Sequence, residues 1–314
     1  MRCDVACAWL TDGPLLKDLS RLVKSYAQEF KGLCHGVQFQ IKRPGVMVVL
    51  GNDLVAFRIR SEPIQVFDMR SGTCVQTFDN DAHSMVYDGT QLITCSYDLT
   101  VRTWDISSGQ CTSIRRIKEA YETVTSHGVY YLTMLTHGQL ALRAENEGVR
   151  VWDLATGFER CRIKLPQVRD VLGLPDGRLV ACADHLIHVY RDDKLLFTRR
   201  CHKKSIVTKL QTVGARLMAS GGRDLTINIW VTDTMTCVRA INSVNPNFFA
   251  VLQDGNLATV STGKERRLQT FDLDQEGVLA RADENFSSVV CGLRPLDNGQ
   301  LVSFHLNGDV YIWS

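Results

Sequence analysis

Residues 95–111 read CSYDLTVRTWDISSGQC, from Cys95 to Cys111. A short alternating run ends in Trp104-Asp105, a polar turn follows, and a cysteine opens what reads as the next strand. Whether this is one hairpin or one unit of a repeat decides the fold. Related phrases recur along the chain as IQVFD, VRTWD, VRVWD, IHVYR, INIWV, LQTFD and VYIWS. The residues that follow the aromatic are Asp68, Asp105, Asp153, Arg191, Val231, Asp272 and Ser314, spaced by 37, 48, 38, 40, 41 and 42 positions. Self-similarity at a fixed period near forty marks an array of supersecondary units. Ahead of most of the aromatics stand a turn rich in Asp, Asn or Gly and a further apolar strand such as QLITCS, RLVACA, RLMASG, NLATVS or QLVSFH. Period-2 alternation between such turns predicts four antiparallel strands per unit.

On these phrases residues 34–314 resemble the WD-repeat family, and the resemblance implies an all-β fold, a seven-bladed WD-repeat β-propeller. The last unit stops at Trp313-Ser314, after a third strand, whereas GVQFQIK (Gly36 to Lys42) is a spare alternating strand ahead of the first unit. Pairing the two would remove an open edge that otherwise invites aggregation. Residues 1–33 form a separate N-terminal segment. Leu15, Leu19, Leu22, Tyr26 and Phe30 fall on one helical stripe, with Asp12 placed to cap its start, Pro14 in a first turn and Gly32 at its end. This helix is similar to the linker that precedes the ring in F-box/WD-repeat receptors, although no full F-box is present.

Composition narrows the function classes. Lysine and arginine total 36 against 34 acidic residues, so no whole-chain field draws the protein to nucleic acid or an anionic membrane. Eleven cysteines without paired C-x-x-C spacing suit free thiols in a reducing compartment, which predicts a cytoplasmic or nuclear protein. No run of about 18 apolar residues predicts a membrane span.

Residue chemistry points to a scaffold. Within the WD-repeat family a His, a Ser or Thr, an Asp and the Trp form a hydrogen-bonded chain inside a blade, and blade five carries His202, Ser220, Asp224 and Trp230 for it. Blade two keeps Thr94, Asp98 and Trp104, but His83 stands fifteen positions before its Asp against twenty-two in blade five, the wrong spacing for the network histidine. No G-x-S-x-G, H-E-x-x-H or Gly-rich phosphate loop occurs, so no catalytic residue, metal ligand or cofactor is expected. His185 and His188 in HLIH have an odd separation, which on a strand turns the rings to opposite faces. The pairs Cys34-His35 and Cys201-His202 diverge for the same reason. The basic runs RRIK (Arg115 to Lys118) and RRCHKK (Arg199 to Lys204) are expected to follow outer strands and sit in solvent at the rim.

The residue just before the turn Asp faces the upper opening of the ring in this fold. In successive blades it is Arg60, Tyr97, Glu145, Ala183, Arg223, Lys264 and Leu306. The string SGGRD, Ser220 to Asp224, is similar to the phosphate-reading string of the F-box/WD-repeat receptors, which also carry an arginine early in the first strand; Arg169 stands there in blade four. The resemblance implies a peptide-binding set of Arg60, Tyr97, Arg169, Arg223 and Lys264, making charge-assisted bonds to a carboxylate or phosphate. The partner expected is a protein or peptide, phosphorylated or acidic, and a ubiquitin-ligase adaptor if the receptor likeness holds. The alternatives are an architectural subunit of a multiprotein complex and a propeller enzyme with a site in its central channel.

Overall fold

The computed structural model describes residues 34–41, 44–59, 62–79, 82–96, 98, 100–116, 130–144, 148–203, 205–242, 244–262, 266–273, 280–281 and 288–314. The N-terminal helical segment, 1–33, lies outside them. The described residues hold twenty-eight strands, β1 to β28 in chain order, in seven antiparallel four-stranded sheets. Blade one is β2–β5 (44–78), blade two β6–β9 (82–116), blade three β10–β13 (130–163), and blade four β14–β17 (168–200). Blade five is β18–β21 (207–242), blade six β22–β25 (244–281), and blade seven β26–β28 (290–313) together with β1. The first strands of successive sheets touch in order, and β2 meets β26, so the sheets close into a ring. The seven-bladed propeller expected from the repeat is the observed fold.

Ring closure follows the predicted route. β1 (Cys34–Gln40) pairs antiparallel with β28 (Asp309–Trp313), matching Phe39 to Val310 and Gln40 to Asp309. Gln40 Nε2 donates to Asp309 Oδ1 at 2.8 Å, and Ile41 N donates to Gly308 O. Alternation sends Phe39 inward, where it stacks on Phe67 of blade one with centroids 4.8 Å apart.

Each strand alternates toward one neighbouring sheet and then the other, so the apolar side chains gather at the seams between blades. Each of the seven seams holds one buried cluster. Six contain seven to eleven buried residues; the seam between blades two and three holds five, Ile93, Cys95, Leu132, Leu140 and Leu142.

The basic runs are placed differently from expectation. Arg115 and Arg116 lie inside β9 (Cys111–Arg116), and Arg199 and Arg200 inside β17 (Lys194–Arg200), because the outer strands run longer than the sequence suggested. Cys201 and His202 come after β17 rather than on it, and both are buried.

Candidate functional site

Blade five contains the full hydrogen-bonded chain. Trp230 Nε1–H donates to Ser220 Oγ at 2.9 Å, and the Ser220 hydroxyl donates to His202 Nε2 at 3.0 Å. The opposite ring nitrogen, Nδ1–H, is left to donate to Asp224 Oδ1 at 2.9 Å, and Thr226 Oγ1 donates to the same oxygen at 2.7 Å. Burial pushes the Asp224 carboxyl up, but the Thr226 and His202 contacts outweigh it and hold the group below its ordinary range. Gly222 makes room for the His–Asp contact: a β-carbon there would come within 2.3 Å of His202 Nδ1. The network thus fixes the turn that carries Arg223, whose backbone N–H donates to Ile206 O at 2.9 Å.

Blade two lacks the histidine limb, as its spacing indicated. Trp104 Nε1 donates to Thr94 Oγ1 at 2.9 Å, but Asp98 bonds Thr100 and pairs with Arg102 at 2.7 Å. His83 instead packs edge-on against Tyr131 of blade three, with centroids 5.3 Å apart. The reason is local. His202 precedes its inner strand, whereas His83 is the extra residue of a bulge that opens β6 (Ala82–Tyr87). Bulges re-aim side chains. β14 (Val168–Gly173) and β18 (Val207–Val213) open with the same bulge, which leaves Arg169 and Thr208 outside their ladders.

Arg169 and Arg223 therefore line one pocket of about 350 Å³ with Arg143, Tyr131, Thr208, Val168 and Ile206. Arg223 is exposed, Arg169 half-buried. Arg143 comes from β11 (Gln139–Ala144) and was absent from the sequence-based set. Its guanidinium sits 4.2 Å from the centroid of Tyr131 and donates to Val168 O at 2.9 Å. Burial lowers its pKa, while Asp170 pulls the other way. Arg58 takes the matching place in blade one and donates to Ala82 O at 3.1 Å, so both arginines tie a second strand to the inner strand of the next blade. The Asp170 carboxylate, which acts on Arg143, is occupied: Leu210 N donates to Oδ2 at 2.7 Å and Val171 N to Oδ1 at 2.9 Å. Burial raises its pKa despite these bonds. Planar guanidinium forks match carboxylate and phosphate oxygens, which is the chemistry that three arginines beside an aromatic wall could offer.

The other predicted members, Arg60, Tyr97 and Lys264, lie outside the described residues, as does Glu145. Ala183 is buried at the end of β15 (Leu179–Ala183), and Leu306 is exposed beside the seventh turn. Among the described residues no three His, Cys, Asp or Glu side chains cluster at metal-binding reach, and no helix is long and apolar enough to cross a membrane.

Comparison with known proteins agrees with this architecture. Residues 72–105, which contain most of the opening stretch, match the WD domain, G-beta repeat. The chain is 21% identical over 254 residues to a p21-activated protein kinase-interacting protein 1-like protein of Gallus gallus, covering 78% of this chain and 66% of that one. It is 24% identical over 274 residues to the nuclear distribution protein PAC1 of Arthroderma otae, covering 71% and 58%. The match thus spans less than two thirds of either relative. Among solved structures, the WD40 β-propeller domain of Doa1 superposes with a TM-score of 0.71 at 13% identity, covering 92% of this chain and 97% of that one. The Cps50 (Swd1) β-propeller domain of Myceliophteria thermophila gives 0.71 at 13%, covering 89% and 99%. Repeat phrase, ring closure and superposition converge: the chain folds as a seven-bladed β-propeller similar to those of WD40 proteins, and residues 72–105 match the WD repeat.

Proposed function

We propose that this propeller is a protein-binding scaffold whose upper face holds an acidic or phosphorylated peptide, with Arg169 and Arg223 at the rim of the pocket and Arg143 in its wall. The observation that carries this reading is the gathering of three arginines from blades three, four and five in one pocket. The buried Asp170 carboxylate, which acts on Arg143, spends both oxygens on main-chain N–H groups. Arg143 is pre-set by Tyr131 and Val168, which reduces the ordering cost of binding. The finer reading is the substrate-recognition subunit of a ubiquitin ligase in the cytoplasm or nucleus; the similarity of SGGRD and of Arg169 to the receptor pattern supports it. A relative whose name describes an interaction with a kinase is in keeping with the broader one.

Partner retention from native lysate by wild type and by the Arg169→Ala/Arg223→Ala double variant, with and without phosphatase treatment, tests the proposal. A charged hydrogen bond in a partly desolvated pocket is worth about 1.5–3 kcal/mol, so loss of either arginine should weaken binding roughly ten- to a hundred-fold. Thermal stability should shift less than binding does, because neither side chain is part of the buried apolar core. Phosphatase should mimic the double variant if the anion is a phosphate. An unchanged partner set for the double variant removes the upper-face arginines from the function.

A further inference from the structure

Among the described residues the seam between blades two and three departs from those of blades one, three and five. In blades one, three and five the outer strand places a large apolar residue across from the third-strand residue three before the aromatic: Phe78 across Ile64, Ile163 across Val149, Ile241 across Ile227. These three are 0%, 2% and 4% exposed and plug their seams. Blade two has Arg115 there, across from Val101, and it is exposed. Blade four also has an arginine, Arg199, but its guanidinium turns out over Phe197 at 5.0 Å and Cys201 joins the buried cluster in its stead. Beyond β9 no such replacement exists among the described residues.

The far wall of the same seam is also incomplete. Trp104, Trp230 and Trp313 each donate to a second-strand hydroxyl at 2.9 Å, from Thr94, Ser220 and Ser303. The matching residue for Trp152 is Leu142, and among the described residues the Trp152 indole N–H has no hydrogen-bond partner. Between the blades lies a cleft of about 750 Å³, with Ile93, Val101, Leu140, Leu142 and Trp152 as its apolar lining. That volume is within the range of small-molecule sites.

The charges at the cleft are uneven in what they leave available. Glu159 pairs with Arg150 at 2.6 Å and Arg162 at 3.2 Å. Asp153 accepts from Thr156 N and Oγ1, and Asp88 from Thr90 and Gln91 N–H groups. Arg115 has neither a hydrogen bond nor an ion pair among the described residues, and its guanidinium lies in the space that a β-carbon at Gly157 would fill. An apolar floor beside a cation that has no carboxylate partner among the described residues fits an apolar body that ends in a negative group.

We propose that the seam between blades two and three is a second binding site, for a compact alkyl or aryl carboxylate whose apolar body rests on Leu140, Leu142 and Trp152 and whose carboxylate pairs with Arg115. The site is independent of the upper-face pocket. A free small acid and a peptide ending in an aromatic residue present the same carboxylate chemistry, and the test separates them.

The test titrates the intact chain with 4-phenylbutyrate, with 4-phenyl-1-butanol, and with acetyl-Leu-Phe as free acid and as amide, followed by calorimetry and tryptophan fluorescence. Wild type should bind phenylbutyrate saturably and about ten-fold more tightly than the alcohol, since a charged hydrogen bond separates the two. Tighter binding of the peptide acid than of phenylbutyrate identifies a peptide terminus as the source; the reverse identifies a free acid. Arg115→Gln should abolish the preference for acid over alcohol while leaving the alcohol bound. Arg115→Phe restores the plug of blade one, so it should abolish binding of every probe and raise the melting temperature, which also shows the variant is folded. The Arg169→Ala/Arg223→Ala variant should bind the probes like wild type. Absence of saturable binding in the wild type overturns the proposal. Equal affinity for acid and alcohol overturns the role of Arg115, and binding that survives Arg115→Phe places the probe elsewhere.

Discussion

Blades five and three have the same strand order and a tryptophan at the same place in the third strand, yet their interiors differ. In blade five Trp230, Ser220, His202 and Asp224 are joined end to end, and an apolar plug, Ile241, closes the seam to blade six. In blade three Leu142 replaces the serine, Trp152 is half-buried, and among the described residues the seam to blade two holds a cleft of about 750 Å³. In both sheets the ladder between the second and third strands is regular. Sheet topology therefore rests on alternation and turn chemistry, which both blades have, while the polar network and the plug govern how tightly neighbouring sheets are joined. A seam without them has space for something else.

The largest effect that would break this comparison is truncation of the two tryptophans. Trp230→Ala removes a buried indole and leaves Ser220 Oγ without its donor, so urea unfolding should show a loss of about 3–5 kcal/mol. Trp152→Ala enlarges a cleft that already exists and breaks no hydrogen bond among the described residues, so its loss should be about 1–2 kcal/mol. Equal losses would mean that the seam between blades two and three is packed in solution.

Blade seven supplies an intermediate case and a pH test. Trp313 donates to Ser303 as in blade five, but the next partner is His305, from the same strand as the serine, with Nε2 3.1 Å from Ser303 Oγ. Tyr311 packs on the ring at 4.7 Å, and burial pulls its pKa down to about 4. The unfolded ring takes up a proton near pH 6.5, whereas the folded ring resists until about 4. Stability from the neutral ring is therefore complete above about pH 6.5 and is lost as the pH falls from there to about 4, on the order of 1–3 kcal/mol. Melting temperatures across this window should fall less steeply for His305→Phe than for wild type; parallel slopes would mean that His305 is accessible to protons.

Much of this was legible in sequence because it depends on spacing within one unit. The closing strand was visible as alternation in GVQFQIK, and the blade-five chain as four residue types at family spacings. Arg169 and Arg223 were found by their distances from a turn aspartate, and the pocket unites them. Arg143 and Tyr131 were missed because their contacts cross to neighbouring blades: Arg143 reads as a stray charge in QLALRA until Val168 O is seen beside it. The pairing of Ser303 with His305 was missed because a histidine two residues along the same strand satisfies the serine, where the family spacing looks some eighteen residues upstream. The open seam depends on which residue lies across from Val101, and cross-strand register shifts at bulges that composition does not show.

The smallest effect separates two turn aspartates that the repeat makes equivalent. Asp224 accepts from His202 and Thr226, so Asp224→Ala leaves buried donors without an acceptor and should cost roughly 1–3 kcal/mol. Asp184 holds the matching turn in blade four, but its side chain is exposed and Ala181 stands where a serine would be needed. What Asp184 does supply is conformation. Its φ is 52°, in the left-handed region that Asp, Asn and Gly tolerate better than Ala. Asp184→Ala should therefore cost about 1 kcal/mol or less, all of it backbone strain, and Asp184→Gly should cost still less, whereas Asp224→Gly should be as damaging as Asp224→Ala. Chemical unfolding of the four variants reads the difference directly. If glycine rescues position 224 as it rescues 184, the histidine chain of blade five contributes nothing to joining the sheets, and the contrast with blade three reduces to packing alone.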